Sequence, residues 1–224
     1  MAEDLQIGTV YNSMVNEDLK SFAYLQIKRR LITCEYEPYS VLNEAFLSKE
    51  LGVSRTPIRD AISRLEQEGL VRVVPKKGIF VSGISVLDIN QMYQARELLE
   101  PFIAQNAIDN ISREELEKMR DACSDSFLDE EGKGLSDLDT KLHLYLASCC
   151  NNKYFIDTMQ KIWDQNTRIQ FCYNTFSRFS SAQSEHLSLI SAILEGNRKL
   201  AAKVMQTHVE NCRKATMTAL ITKL

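Results

Sequence analysis

The stretch Leu51–Leu70, LGVSRTPIRDAISRLEQEGL, decides how the rest of the chain is read. Gly52 stands where a helix needs a left-handed stop, a conformation glycine adopts at little cost. Thr56 then reads as an N-cap and Pro57 as the first helical residue, where a missing N–H removes no bond. Ile58, Ile62 and Leu65 recur at helical spacing and predict a buried stripe, with Arg55 and Arg59 on the opposite side. A short helix, a tight turn and a second helix with arginines in its opening turn is the layout of a helix-turn-helix, which presents those side chains to the DNA major groove. Periodicity alone favours the plainer reading, an ordinary helical hairpin with solvated arginines.

The flanking sequence separates the two. VRVV (Val71–Val74) and GIFVSGI (Gly78–Ile84) are β-branched runs joined across Pro75, Lys76 and Lys77, which predicts a two-stranded wing with a basic tip. The whole block resembles the winged helix-turn-helix of GntR-type bacterial transcription regulators, whose usual wording is close to LGVSRTPIRDAISRLEQEGLV. The resemblance implies base contacts from Arg55 and Arg59, with guanine O6/N7 as the expected partner of each. It also implies phosphate contacts from Ser54 and Thr56, and wing contacts from Lys76, Lys77 and the close-approaching Gly78. A pure capping role accounts for Thr56 equally well. One position departs from the family: Glu44 is followed by Ala45, where the family often carries a DNA-contacting arginine.

Composition is that of a soluble globular protein, with 44% hydrophobic and 25% charged residues over 224 positions, and only 8 glycines and 4 prolines favour helix. Nothing approaches about 18 consecutive apolar residues, so no membrane span is expected. The opening MAEDLQIGTV has neither the basic nor the apolar region of a secretory signal. Six cysteines without a CxxC pair read mainly as small apolar residues in a reducing cytoplasm. A net charge of −3 does not point to nucleic acid, but Lys49 to Gly78 holds seven cations against four anions, a local +3. An acidic chain with one basic face is compatible with binding phosphate through that face.

The expected fold is mainly α. An N-terminal winged helix-turn-helix (α+β) spans residues 1–85, and an all-α antiparallel helical bundle spans 86–224. Helices are expected over 16–33, 44–51 and 55–68, then over 88–110, with Pro101 predicted to kink the last of these. Ser112 reads as the cap of the next helix, with Glu115 completing a capping box. A solvated loop at 129–134 precedes helices near 135–150, 153–173, 181–195 and 197–222.

The bundle contains all three histidines, His143, His186 and His208. Asp139 and His143 are four residues apart and share a helix face beside Leu135, Leu138, Leu142 and Tyr145. His186 shares a face with Ile190 and Ile193, and His208 with Leu200 and Val204. Each histidine thus points at least partly inward, from three different helices. Three imidazoles and a carboxylate suit Zn, Ni, Co, Fe or Mn; a set of hydrogen-bonded core histidines is the alternative that spacing leaves open.

The second half also resembles the FCD ligand-binding domain of the FadR-type branch of the same regulators. The resemblance rests on LDTKLHLYLASCCNN, SEHLSLISAILEGN and AAKVMQTHVE. It implies that Asp139, His143, His186 and His208 bind a divalent transition metal, zinc foremost and Ni, Mn, Fe or Co as alternatives. The open positions on that metal would take the carboxylate of a small organic acid. Arg96, in QARELLEPF, matches a family arginine, and it is expected either to bind that anion or to pair with Glu100. Asn152 matches a family asparagine and is a second effector candidate, with a turn or C-cap role as the alternative. The implied function is a cytoplasmic, homodimeric regulator, expected to repress, that binds a palindromic double-stranded operator and is not an enzyme. A regulator with a metal-free effector pocket is the runner-up. A metal-dependent hydrolase with a DNA-binding appendage is the remote reading, because no further inward acid or base accompanies the three histidines.

Overall fold

A computed structural model describes residues 18–125, 133–173 and 179–221. The chain divides into two compact units, Met1–Ile84 and Ser85–Leu224.

In the first unit, α1 runs through residues 18–32. It is followed by β1 (Val41–Leu42), α2 (Glu44–Leu51), α3 (Arg55–Gln67), β2 (Val71–Val74) and β3 (Gly78–Val81). The expected two-stranded wing is a three-stranded antiparallel sheet with β3 in the centre. Val41 and Leu42 lie opposite Phe80 and Ile79, while Val71 to Val74 pair with Val81 to Gly78 on the other edge. Two residues carry no periodicity, which is why β1 escapes a reading of the sequence. Ala23, Ile27 and Leu31 of α1 meet Leu47, Ile58, Leu65, Val71 and Ile79 in one core. Completely buried side chains such as Ile58 and Leu65 each contribute roughly 1.5–3 kcal/mol of transfer free energy.

Helix α2 starts from Asn43, whose Oδ1 accepts the Phe46 N–H at 2.7 Å, and stops at Gly52 with φ of 68°. Helix α3 begins two residues earlier than a cap at Thr56 allows: Ser54 is its N-cap, and Thr56 lies in the first turn. Pro57 is therefore the third helical residue. It is tolerated there because none of the first four N–H groups has a partner within the helix.

The second unit contains α4 (Val86–Ala107), α5 (Arg113–Asp125), α6 (Lys133–Cys149), α7 (Lys153–Tyr173), α8 (Phe179–Leu194) and α9 (Arg198–Ile221). The loop expected at 129–134 lies largely outside the described residues. Helix α4 opens with a capping box between Ser85 and Asp88 and continues through Pro101, where a kink was expected, as one element. It packs chiefly against α9, and also against α6 and α7, while α8 packs against α9 and α5. The box expected between Ser112 and Glu115 is half formed. Ser112 Oγ accepts the Glu115 N–H at 3.4 Å, but the Ser112 N–H donates to the Tyr145 hydroxyl and Glu115 takes Lys118 instead.

Among the described residues Cys123, Cys149, Cys150 and Cys212 are free thiols. No helix among the described residues is long and apolar enough to cross a membrane.

Candidate DNA-reading face and metal centre

Helix α3 buries Pro57, Ile58, Ala61, Ile62 and Leu65, which turns Arg55 and Arg59 to solvent together with Ser54 and Thr56. Arg59 Nε donates to both oxygens of Glu44, at 2.9 and 2.8 Å, so the helix before the turn fixes the guanidinium. Arg64, counted above among the local cations, instead lies 3.9 Å over the ring of Tyr24 on α1. On the wing, Lys76 and Lys77 are exposed. Lys76 takes a left-handed φ of 63°, and the Lys77 N–H closes the turn on Val74 O. Gly78 has a φ of 120°, and a Cβ there would stand 3.0 Å from Val41 Cγ1. Its need for glycine is thus explained by β1, a strand the sequence did not reveal.

In the second unit Asp139 and His143 on α6, His186 on α8 and His208 on α9 come together. They are all buried, with one ligand-type atom from each lying within 4.8 Å of the others. The Leu142 side of α6 is buried, and so are Ile190 and Ile193 beside His186. On α9 the inward stripe is Ala201, Met205, His208 and Val209, while Leu200 is 42% exposed, so the face is rotated from the one expected.

Outer contacts select which imidazole atoms face the middle. His208 Nδ1 lies 2.8 Å from Glu185 Oε2, and Glu185 also accepts from Asn211. His143 Nδ1 lies 2.7 Å from Glu100 Oε2, an ion-pair approach that is off the direction of a hydrogen bond. That leaves Nε2 of both rings turned inward. The Nε2 atoms of His186 and His143 stand 3.0 and 3.4 Å from Asp139 Oδ1, close but likewise not hydrogen-bonded to it. Carboxylates behind imidazoles orient the rings and fix the tautomer in metal sites.

Electrostatics agrees with a missing positive charge. Burial would raise the Asp139 carboxyl, but His143 and His186 hold it well below the usual range. Burial would also raise Glu100, and Arg96 and His143 overcome this, to about 2. Burial depresses the His143 imidazole, but Glu100 and Asp139 outweigh it and raise the pKa to about 9. His208 is pushed down to about 4 by burial, which the Glu185 contact only partly opposes. With neutral imidazoles, three carboxylates (Asp139, Glu100 and Glu185) face one guanidinium, Arg96, which leaves two negative charges for a divalent cation to balance. Orphaned buried Asp139 Oδ1, His143 Nε2 and His186 Nε2 are the atoms such a cation would satisfy.

Arg96 is 1% exposed. Its Nε donates to Glu100 Oε1 at 2.6 Å, its Nη1 to Asn166 Oδ1 at 2.8 Å, and the guanidinium lies 4.7 Å over Trp163. Of the two alternatives set out for it, the pairing with Glu100 is present. Trp163 in turn lies 4.6 Å from the His143 ring. Because Arg96 can only donate, Asn166 must turn its oxygen toward it, which leaves Asn166 Nδ2 and Trp163 Nε1 as buried donors without partners. Asn152 Oδ1 accepts the Tyr154 N–H at the start of α7, an N-cap rather than the C-cap considered, and among the described residues no side-chain contact joins it to this group. Glu185 and Asn166 were not foreseen. Glu185 adjoins His186 in sequence, and neighbouring helical residues diverge, so nothing tied it to His208.

Residues 19–81 match the family described as bacterial regulatory proteins, gntR family, and residues 91–211 match the FCD domain. The chain is similar to the HTH-type transcriptional repressor RspR of Escherichia coli K12, at 24% identity over 84% of each chain. It shares the fold of a GntR transcriptional regulator from Rhodococcus sp. RHA1, with a TM-score of 0.77 at 20% identity, covering 89% of this chain and 97% of that one. It is also similar to the Zn2+-bound FCD domain of TM0439, with a TM-score of 0.52 at 27% identity, covering 60% of this chain and 94% of that one.

Proposed function

We propose, from the premise that the chain belongs to the GntR family of bacterial regulatory proteins and carries an FCD domain, that it is a zinc-loaded repressor released by a small carboxylate. As a member of that family it is a DNA-binding transcription regulator. The finer reading is carried by one observation: a carboxylate and three imidazoles converge in a buried site where Asp139 Oδ1, His143 Nε2 and His186 Nε2 have no hydrogen-bond partner.

On this reading Asp139, His143, His186 and His208 hold the cation, and Glu100 and Glu185 steady two of the rings. Zinc is favoured by the donor set and by the Zn2+-bound relative. When bound, the ion supplies Lewis-acid positions for an anionic oxygen. Trp163 Nε1 and Asn166 Nδ2, donors left over in the same neighbourhood, would receive the remaining polar atoms of the effector. Arg96 acts through Glu100, and Asn152 is needed by α7.

In the DNA-binding unit Arg55 and Arg59 read base edges, Ser54 and Thr56 contact phosphate, and Lys76 and Lys77 follow the backbone beside the wing, with Gly78 allowing the close turn. Two copies of the chain would place two such units on the half-sites of a palindrome. The effector shifts the regulator by its differential affinity for the DNA-competent and DNA-incompetent states, and by nothing else. RspR is named a repressor, which supports repression here.

Tag-free protein is tested for bound metal and for binding to fragments flanking its own gene, with small carboxylates present or absent and with or without chelator. Expected are one metal per chain and a fragment that is bound alone and released by a carboxylate only while metal is present. A metal-free protein whose DNA binding ignores chelator would defeat the proposal.

A further inference from the structure

Resting on the DNA-binding reading just given, we infer that the outer face of the wing sheet is a further DNA-contacting surface. Arg72, Lys77 and the Tyr39 hydroxyl hold one sugar-phosphate strand of the operator there, past the point reached by the wing tip. Side chains alternate along a strand, so Val71, Ile79 and Val81 lie in the core while Arg72, Val74 and Phe80 take the other face. Arg72 stands opposite Phe80, and Val74 opposite Gly78. Together with Tyr39, Lys77 and Gly83, the outward residues line an open groove of about 510 Å³.

Charge and continuity identify what the groove takes. Arg72 and Lys77 are exposed, and no carboxylate is part of the lining. By contrast Lys20, Lys28, Arg30 and Arg59 of the same unit all pair with acids. Among the described residues neither Arg72 nor Lys77 has such a pair. Lys77 belongs both to the wing tip and to the groove. Arg72 lies two strand residues behind Val74, about 7 Å, the axial distance spanned by about two phosphates of one DNA strand. A backbone contacted at Lys77 therefore continues over Arg72. Tyr39 completes the row. Its ring is 73% exposed, although the residue takes a left-handed φ of 68° and its N–H is tied to Val81 O at 2.9 Å. The far end of the ring lies across Gly83, where a Cβ would come 2.2 Å from both Cζ and the hydroxyl oxygen. Core packing does not account for an aromatic so fixed and so open. Arginine, lysine and tyrosine are all among the side chains that reach DNA phosphates.

The test uses the full chain with a gene-flanking fragment that the wild type binds and an unrelated duplex of equal length, in salt titrations and phosphate-ethylation interference. Arg72→Gln is expected to weaken both duplexes by the same factor and to lower the slope of log affinity against log salt by about 1. It should also lose interference at one phosphate per half-site that matters to the wild type. Tyr39→Phe removes a hydroxyl and no charge, so it is expected to keep the slope and lose interference at a neighbouring phosphate. Either variant with the wild-type ethylation pattern overturns the inference and leaves the reading helix and wing tip as the DNA contacts. A loss on Arg72→Gln confined to the gene-flanking fragment also overturns it, by making Arg72 a base reader. Failure of the wild type to bind any duplex overturns the DNA-binding reading as well. If Arg72→Gln does not fold, the ethylation pattern of Tyr39→Phe decides alone.

Discussion

Arg59 on the reading helix is clasped by Glu44 on the helix before it, Nε to both carboxylate oxygens at 2.9 and 2.8 Å. Among the described residues Arg55 has no such side-chain pair. On the proposed reading the two arginines would reach DNA differently, one already oriented and one held by no such pair. Replacing Arg55 or Arg59 by alanine is expected to cost about 1–3 kcal/mol and to relax preference at one base pair. Fluorescence anisotropy on a set of singly substituted operators checks this, and an equal loss on every sequence would assign these arginines to phosphate. Glu44→Gln is expected to leave stability nearly unchanged, because an exposed pair is worth about 0–1 kcal/mol, while blunting the base preference at the Arg59 position.

Lys76 and Lys77 at the wing tip are expected to act on the backbone only. Lys76→Ala should weaken binding to all sequences alike and lower the slope of log affinity against log salt by about 1. A salt titration on specific and nonspecific duplexes measures both effects. A loss confined to the operator would give the wing a part in sequence reading.

Glu185 and Glu100 stand behind different rings and should fail differently. Glu185→Gln removes the support of His208 and is expected to weaken metal binding about 10–100-fold while the bundle remains folded. Glu100→Gln leaves the buried Arg96 guanidinium without its counter-charge and should cost about 3–5 kcal/mol of stability as well. Chelator competition and thermal melting, run on both variants, separate the two outcomes.

The metal's contribution should grow with pH. In the metal-free protein His143 is raised from 6.5 to about 9, so its stabilisation is complete below pH 6.5 and is lost as pH rises to 9. His208, lowered from 6.5 to about 4, works in the opposite sense and removes stability as pH falls through that interval. A cation must displace the His143 proton, so binding at neutral pH should release at least that proton. Melting with and without chelator between pH 6.5 and 9 is expected to show a widening gap. Calorimetry in buffers of different ionisation enthalpy counts the protons. A gap that narrows over this range would contradict His143 as a ligand.

Much of this arrangement is legible in the residues. Gly52, the Ile58–Ile62–Leu65 stripe and the i,i+4 pair Asp139–His143 each follow from a period or from one dihedral requirement. The cap at Ser54 was displaced to Thr56 because Pro57 is acceptable throughout the first turn, so it marks a helix start without fixing its residue. The inward stripe of α9 was tilted toward Leu200 because Ala201 is fully buried yet too small to signal its position. Asn166 and Glu185 are single polar residues whose partners lie far away in sequence, and no local pattern connects them.

Helix α4 starts at Ser85, immediately after the first unit ends at Ile84, and the same helix carries Arg96 and Glu100. About fifteen residues at 1.5 Å of rise make a rod of roughly 22 Å between the carboxylate behind His143 and the cap of α4 at Ser85. A quarter-turn of Glu100 about that axis would be felt along α4 as far as its first turn at Ser85.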